Sequence, residues 1–281
     1  MAIVFVHGGV SGTAKEAPDL AYAARAGAAR TSALDAVETA ARQLEDDPAL
    51  NAGFGACLAR DGTLELDAGI AIAGRCGGVA NVRVRHPITL ARRVLEETPH
   101  ALITGRGAAL LGEDMELLDD TTPEQRRRWE EASAGGELGD HSFGAPEHVD
   151  TVGAVALGPD GALAAGSSTG GVFGKLPGRV GDAPINGAGI YVSAEVAVVG
   201  TGVGETFIEV LASARVARLV EDGIQPQEAC ERVVVLLARR GAAAAGLLAL
   251  DADGRCGAAY AGASWAVWGD EAPVEAVSVR P

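Results

Sequence analysis

Asp150-Thr151-Val152-Gly153-Ala154-Val155-Ala156-Leu157 contains an apolar run that predicts a buried β-strand. The turn residues Gly158-Pro159-Asp160-Gly161 end this run, and the polar segment Ala132–His148 precedes it. A threonine at the start of a strand is ordinarily explained by the extended backbone that β-branched residues favour. Thr151 is a stronger functional candidate because of the residues that follow it along the chain.

Three later turns are rich in glycine and carry polar side chains. They are Ser167-Ser168-Thr169-Gly170-Gly171, Gly178-Arg179-Val180-Gly181-Asp182 and Gly200-Thr201-Gly202-Val203-Gly204-Glu205. The first ends the strand that would pair with the strand beginning at Thr151. Because catalytic residues are often held on such turns, we predict an active site that combines the hydroxyls of Thr151, Thr169 and Thr201 with Arg179 and Asp182.

In this order, the segments resemble those of the plant-type asparaginase, or isoaspartyl peptidase, family of N-terminal-nucleophile (Ntn) hydrolases, which are threonine peptidases. Matching segments also precede Thr151; they are His7-Gly8-Gly9, Leu44-Glu45-Asp46-Asp47-Pro48, Asn51-Ala52-Gly53-Phe54-Gly55, Glu65-Leu66-Asp67-Ala68 and His86-Pro87-Ile88-Thr89-Leu90-Ala91-Arg92. The resemblance covers nearly the whole chain. It implies a four-layer αββα sandwich, autocatalytically cleaved before Thr151 into an α-subunit (1–150, with a flexible tail at about 132–150) and a β-subunit (151–281) that together form one structural domain.

The hydrophobic patterning independently predicts an α+β protein, because strands and helices occur in blocks and hairpins outnumber βα units. Turn signals predict hairpins around Asp61-Gly62 and around Asp251-Ala252-Asp253-Gly254. Thr31 or Ser32 is a candidate N-cap for a helix that ends near Pro48. The segment Glu205–Val220 is amphipathic and predicts a single helix.

The composition excludes several function classes. A formal net charge of −15 argues against binding to nucleic acids or to anionic membrane surfaces. The four cysteines are scattered, which indicates neither a disulfide framework nor a zinc site and fits a reducing compartment. Since no stretch reaches the roughly 18 apolar residues of a membrane span and the first residues lack a signal-peptide pattern, we expect a cytoplasmic protein.

Thr151 needs a base because a hydroxyl is a weak nucleophile on its own. If the bond between Asp150 and Thr151 is cleaved by an N-to-O acyl shift, the α-amine of Thr151 becomes free. The reference pKa of such an amine is about 7.7–8.0, so part of it is neutral near pH 7 and can act as the base. No histidine is then required, and all five histidines precede Thr151 in the chain.

The remaining site residues have both functional and plain structural interpretations. Thr169 is a candidate partner of the nucleophile, or else a hydroxyl that satisfies a turn. Thr201 and the Gly202 N–H are candidates for holding an oxyanion, although Thr201 could equally cap the following helix. Asn51 resembles a buried asparagine near the nucleophile of the family, although asparagine is also common in turns.

Arg179 and Asp182 would form a surface ion pair by default. The alternative is a clamp in which Arg179 binds an α-carboxylate and Asp182 accepts from an α-ammonium group. The resemblance supports the clamp, with Thr201, Gly202 and Gly204 beside it. It implies a small-molecule substrate, either L-asparagine or a β-aspartyl dipeptide.

The resemblance also implies no cofactor for catalysis and a dimer of αβ heterodimers. It implies a structural Na⁺ held by a loop whose ligands would come from Leu44, Glu45, Asp47, Leu50, Ala52 and Phe54. Departures from the family pattern lie at Leu50, Gly200 and Val203, which leaves the leaving-group side of the site undefined.

Three alternative functions remain open at the level of sequence. Asp150 before Thr151 is the glycosylasparaginase pattern, which makes that activity the nearest alternative. A catalytically silent homologue that only binds aspartyl compounds is the second. The third is an NAD-binding oxidoreductase, because Gly200-Thr201-Gly202-Val203-Gly204 imitates a dinucleotide fingerprint. Gly166-Ser167-Ser168-Thr169-Gly170 matches a nucleophile elbow but lacks the following helix and a later histidine.

Overall fold

The computed structural model describes residues 1–10, 17–138 and 151–280. The strands are β1 (Ile3–His7), β2 (Leu66–Ile72), β3 (Arg75–Val82), β4 (Leu102–Thr104), β5 (Val152–Leu157), β6 (Leu163–Thr169), β7 (Ile190–Val192), β8 (Val196–Gly202), β9 (Ala245–Asp251), β10 (Cys256–Ala261), β11 (Val267–Gly269), β12 (Pro273–Val274) and β13 (Val277–Ser278). The helices are α1 (Ala17–Ala28), α2 (Ala33–Asp46), α3 (Pro87–Glu97), α4 (Gly105–Leu111), α5 (Pro123–Gly135), α6 (Gly204–Val210), α7 (Ala212–Glu221) and α8 (Pro226–Arg239). The predicted α+β class is confirmed.

The strands form two sheets. The order in the larger sheet is β12-β11-β1-β5-β6-β2-β3-β4, and the order in the smaller sheet is β13-β10-β9-β8-β7. The predicted β5–β6 hairpin lies at the centre of the larger sheet, where β1 and β2 flank it. Strands from before and after Thr151 therefore alternate within one sheet.

The helices cover the sheets, and the sheets also contact each other. Helices α1, α2 and α3 pack on the larger sheet, whereas α7 and α8 pack on the smaller one. Strands β5 and β6 contact β8 through an apolar cluster that includes Val155, Val199 and Leu248. The buried residues are mostly alanine, valine and leucine, as the low aromatic content predicts. Among the described residues, no helix combines the length and the apolar character needed to cross a membrane.

Side-chain caps begin two of the helices. Ser32, one of the two predicted N-caps, accepts a hydrogen bond from Asp35 N and starts α2. Thr122 caps α5 by accepting from Gln125 N, and Pro123 is the first residue of that helix. The late hairpin is also confirmed, since β9 and β10 pair antiparallel around Asp251–Gly254.

The hairpin predicted around Asp61-Gly62 is wrong. The turn itself exists, because Asp61 accepts from the Thr63 N–H, but residues 56–65 form no strands. Ala59 N donates to Thr63 O across the turn at 2.9 Å, but the Thr63 N–H that would return the bond donates to Asp61, so no ladder continues. Side chains of α5 bind the turn as well: Trp129 Nε1 donates to Ala59 O and Arg126 Nη1 donates to Gly62 O. The hairpin lies further along the chain, between β2 and β3.

The single helix predicted over Glu205–Val220 is divided at Leu211. Leu211 has a left-handed backbone (φ 53°) and ends α6. Helix α7 then begins in a new direction because carbonyls outside the helix bind its first amides: Ser213 N donates to Ala188 O and Ala214 N donates to Gly187 O. The periodicity of apolar residues continues across the break, which is why the sequence did not reveal it.

Candidate active site

Thr151 is the last residue before β5 and is almost fully buried. Asp150, the other residue of the predicted cleavage site, lies outside the described residues, as does the tail from 139 onward. The register Val152↔Ser168 places Thr151 opposite Thr169 at the end of the central hairpin. Thr151 Oγ1 donates to Thr169 Oγ1 at 3.3 Å. The structure thus brings together the two hydroxyls that the hairpin pattern paired.

Thr201 reaches Thr151 from the other sheet. It is fully buried at the end of β8, and its Oγ1 accepts from Thr151 N at 3.3 Å. It does not cap α6, because the N-cap of that helix is Val203, which makes no side-chain cap bond. The adjacent Gly202 has φ 149°, and a Cβ there would lie 2.6 Å from Ala244 O. Only glycine allows the chain to turn at this point.

Asn51 supports the corner behind Thr169. Its Nδ2 donates to Gly171 O at 2.7 Å, and its Oδ1 accepts from Cys57 N at 2.9 Å. The Gly171 N–H in turn donates to Thr169 Oγ1 at 2.9 Å. Asn51 therefore acts on the hydroxyl of Thr169 through the backbone of the turn, and it does not contact Thr151.

Arg179 pairs with Glu205, a residue that the sequence analysis did not assign to the site. The Arg179 Nε and Nη2 atoms donate to Oε1 and Oε2 of Glu205 at 3.0 and 2.9 Å. The guanidinium group is largely buried, which disagrees with the surface ion pair expected by default. The only sequence signal for Glu205 was its place in the first helical turn after Gly202-Val203-Gly204.

Asp182 is buried beside this pair, and its Oδ2 has no hydrogen-bond partner among the described residues. Burial raises the pKa of Asp182 from 3.8 to about 7, although the positive charge of Arg179 opposes the shift. The negative charges of Glu205 and Asp67 raise the pKa of Asp182 further. A buried carboxylate oxygen without a partner, next to a held guanidinium group, is suited to binding a ligand that carries a cation.

Thr151 and the Arg179–Asp182 pair both lie against the short segment Thr201–Gly204. Thr201 contacts Thr151, and a Cβ on Gly204 would lie 2.9 Å from both Arg179 Nη2 and Asp182 Oδ1. Three residues of extended chain span at most about 11 Å. The two groups therefore lie at opposite ends of one four-residue segment.

His7 is a second site residue whose role the sequence did not reveal, although the segment His7-Gly8-Gly9 contributed to the resemblance. It is fully buried and faces Gly153 in the β1–β5 register. Burial lowers its pKa to about 3, against a smaller opposing effect of the Thr151 backbone. Neither ring nitrogen makes a hydrogen bond of good geometry within the described residues. A ring of such low basicity cannot act as the base for Thr151.

The loop predicted to bind Na⁺ has converging backbone carbonyls. The carbonyl oxygens of Leu50, Pro48 and Asp47 lie 2.2, 2.8 and 2.9 Å from the position that a Cβ of Gly55 would occupy. The carbonyls of Leu44 and Ala52 accept backbone hydrogen bonds within the loop, as those of Asp47 and Leu50 also do, and Phe54 O accepts from Thr121. An all-oxygen cradle fits a hard cation, with Pro48 as a member that the sequence analysis omitted. In the described part of the chain, no group of three or more His, Cys, Asp or Glu side chains has an arrangement that could hold a metal ion.

Two misleading motifs are excluded by their surroundings. Ser168 lies within β6 and donates to the buried carboxylate of Glu45 at 2.7 Å, so it is not on a nucleophile elbow. The dinucleotide-like segment begins within β8, whose neighbours β7 and β9 are both antiparallel to it. A dinucleotide fingerprint requires a parallel βαβ unit, which contradicts the NAD-binding alternative.

Comparison with known proteins agrees with the geometry. The model of the family Asparaginase_2, described as asparaginase, matches residues 11–273. An isoaspartyl peptidase of Salmonella typhimurium is 45% identical over 238 residues, covering 79% of this chain and 76% of the relative. A plant-type L-asparaginase of Pyrobaculum calidifontis is 40% identical over 283 residues, covering 92% of this chain and 94% of the relative. An isoaspartyl peptidase/L-asparaginase of Rattus norvegicus is 39% identical over 250 residues, covering 81% and 73%. The chain belongs to the asparaginase family and is a hydrolase.

Proposed function

We propose that this protein is an autoprocessing Ntn hydrolase that cleaves the β-amide of β-aspartyl (isoaspartyl) dipeptides and of L-asparagine. One observation carries the proposal: the buried Thr151 has its hydroxyl bonded to Thr169 and its backbone nitrogen bonded to Thr201, and Thr201 lies three residues before Gly204, which lies beside Arg179 and Asp182. The names of the relatives, isoaspartyl peptidase and L-asparaginase, support the substrate class.

Processing comes first in this mechanism. Thr151 Oγ1 attacks the carbonyl carbon of Asp150, and the peptide C–N bond breaks as the new ester forms. Water hydrolyses the ester, leaving a carboxylate on Asp150 and a free α-amine on Thr151. The hydroxyl of Thr201, which bonds this nitrogen before cleavage, keeps the amine beside the nucleophile.

Substrate hydrolysis then uses the same hydroxyl. The neutral α-amine takes the Oγ1 proton as Oγ1 attacks the β-carbonyl carbon, and the Thr201 hydroxyl and Gly202 N–H hold the oxyanion. The amine returns the proton to the departing nitrogen when the C–N bond breaks. Water hydrolyses the aspartyl ester, which releases L-aspartate and restores Thr151.

The clamp selects the aspartyl part of the substrate. Arg179, fixed by Glu205, binds the α-carboxylate with its remaining N–H groups. Asp182 binds the α-ammonium group through the oxygen that lacks a partner among the described residues. Gly204 leaves room for the substrate between the two side chains.

The same proposal covers the architecture and the assembly. Two sheets in contact, each with helices packed on its other face, support a four-layer αββα sandwich made of an α-subunit (1–150) and a β-subunit (151–281). The carbonyls of Asp47, Pro48 and Leu50 would hold a structural Na⁺, which would stabilise the loop that carries Asn51. No cofactor takes part in catalysis, and two αβ heterodimers form the assembly.

Intact mass spectrometry of fresh and incubated protein tests the proposal. We expect two fragments whose masses sum to that of the chain plus one water, the second beginning at Thr151, and hydrolysis of β-aspartyl dipeptides by the processed protein. Thr151→Ala should remain a single chain, whereas Arg179→Ala should be cleaved and show a raised KM. A wild-type chain that stays intact and inactive would contradict the proposal and favour the silent aspartyl-binding alternative.

A further inference from the structure

Asp67 is a fully buried carboxylate that joins three parts of the site. Its Oδ2 accepts from Gly181 N at 3.2 Å, inside the loop that carries Arg179 and Asp182. Its Oδ1 accepts from Asn81 N at 2.9 Å. In the sheet, Asp67 is the direct neighbour of Thr169, the partner of the nucleophile. No part of the reaction described above assigns it a role.

The backbone opposite Asp67 is irregular. The β2–β3 register changes from Leu66↔Val82 to Ala68↔Val79, so Ala80 and Asn81 face the single residue Asp67. This is a β-bulge, and Asn81 within it has a left-handed backbone with φ 55°. Such a conformation is costly for a residue other than glycine, and bulges of this kind are common next to active sites. The hydrogen bond from Asn81 N to Asp67 holds the bulge in place.

The carboxylate of Glu65, two residues before Asp67, holds the first residue of the loop Gly178–Asp182. Gly178 N donates to Oε1 and Oε2 of Glu65 at 3.1 and 2.9 Å. The bulge also contributes, since Asn81 Nδ2 lies 3.4 Å from Gly178 O. The loop Gly178–Asp182 is thus attached to β2 at its first and fourth residues, and Arg179 lies between the attachments.

The charge of Asp67 also acts on the two clamp residues. It contributes to the raised pKa of both Arg179 and Asp182. The other charged groups that act on Asp182 are Arg179 itself and Glu205. Removing the negative charge of Asp67 therefore leaves Asp182 easier to ionise, whatever happens to the loop.

We propose that Asp67, assisted by Glu65, is a positioning residue that holds the Arg179–Asp182 clamp at a fixed distance from the nucleophile strand. This inference rests on the proposed function, because it assigns Asp67 to the binding of the aspartyl part of the substrate. Asp67 touches no reacting atom. It acts through the hydrogen bond that it accepts from Gly181 N and through the electrostatic effect of its negative charge on Asp182.

Kinetics of Asp67→Asn test the inference. The amide nitrogen of asparagine cannot accept the hydrogen bond that one carboxylate oxygen now accepts, so one of the two backbone N–H groups loses its acceptor. We expect normal cleavage before Thr151, a KM for a β-aspartyl dipeptide that is raised about tenfold, and a kcat within about threefold of the wild type. The acid limb of kcat/KM should move to lower pH. L-aspartate, which carries both groups that the clamp would bind, should bind more weakly in calorimetry.

Two further variants serve as comparisons. Ile70→Val removes one methylene from a fully buried side chain of the same strand that belongs to the core cluster with Val37 and Ile88, so it controls for loss of stability. Glu65→Ala removes the acceptor of Gly178 N at a partly exposed position and should raise KM by a smaller factor without unfolding the protein.

The outcomes separate this inference from the proposed function. If the wild type is uncleaved and inactive, the proposed function fails. If the wild type is active but Asp67→Asn and Glu65→Ala keep its KM, its acid limb and its affinity for L-aspartate, only the positioning role is wrong. An equal rise of KM in Ile70→Val would also overturn it, since the effect would then reflect stability alone.

Discussion

Asp182 shows how burial changes the meaning of a residue. In the sequence, Arg179 and Asp182 were compatible with an exposed ion pair, and exposed pairs contribute little to stability. In the structure, Glu205 takes the place of Asp182 as the partner of Arg179. Asp182 is left with a buried, unbonded oxygen among the described residues and a pKa raised to about 7. A carboxylate of this kind is half neutral near pH 7.

The raised pKa of Asp182 predicts a pH dependence of KM. An α-ammonium group binds only the ionised form, so KM should fall as pH rises through about 7. For a single group with this pKa, KM at pH 6 should be about ten times that at pH 8. Steady-state kinetics with a β-aspartyl dipeptide measures this. Asp182→Asn is the control, with a high KM that does not vary over this range; a flat wild-type profile would show that Asp182 does not bind the ammonium group.

Gly204 is predicted to be essential for binding. A Cβ at this position would lie 2.9 Å from Arg179 Nη2 and Asp182 Oδ1, closer than ordinary contact. Gly204→Ala should therefore leave cleavage before Thr151 intact and raise KM by more than about tenfold. Gly135→Ala is a matched control, because Gly135 is also helical and its added Cβ meets only the Glu137 side chain, at 3.5 Å or more. Equal kinetics of the two variants would refute the proposed position of the substrate.

At the level of elements, the errors of sequence interpretation have a common cause. The turn at Asp61-Gly62 was predicted correctly, but its flanks share only the bond from Ala59 N to Thr63 O and form no strands, and side chains of α5 bind the carbonyls of Ala59 and Gly62. The apolar spacing of Glu205–Val220 was helical throughout, but the left-handed conformation of Leu211 divides the segment into two helices. In both cases the local pattern was read correctly, and contacts with a segment distant in sequence determined which secondary structure formed around it.

The break at Leu211 predicts an increase in stability. A left-handed backbone costs a residue with a Cβ roughly 1–2 kcal/mol, and glycine avoids this cost. Because the Leu211 side chain is half exposed, Leu211→Gly should raise the free energy of unfolding by roughly 1 kcal/mol, measured by chemical denaturation. Leu211→Ala keeps the unfavourable backbone and should not be stabilised. If glycine and alanine behave alike, the left-handed conformation is absent in solution.

At the level of the whole molecule, the two proposed subunits cannot be separate bodies. Strand β1 lies between β5 and β11, and β2 pairs with β6, so the larger sheet is built from both sides of Thr151. Cutting the chain before Thr151 removes none of these hydrogen bonds.

This interleaving predicts that the processed fragments stay together. Residues 1–150 and 151–281 should co-elute in size-exclusion chromatography under native conditions and separate only in denaturant, because parting them would expose the shared core. Uncleaved Thr151→Ala protein provides the reference elution volume. Fragments that separate in native buffer would contradict the sheet order.

The order of residues along the chain was sufficient for the features that depend on neighbours. It predicted the α+β class, the β5–β6 hairpin, the cap of α2, and the grouping of Thr151 with Thr169, because turn chemistry and apolar periodicity act over a few residues. It also predicted that Arg179 and Asp182 would lie outside helices and strands, but it placed Thr201 on a turn, whereas Thr201 lies near the end of strand β8.

Tertiary structure alone determined which of these residues meet and in what surroundings. The pairing of Arg179 with Glu205, the bond from Asp67 to Gly181 and the burial of His7 beneath Thr151 join segments far apart in sequence. Burial then set the charge of Asp182 and the neutrality of His7, since desolvation depends on everything that packs around a group and not on its neighbours in the chain.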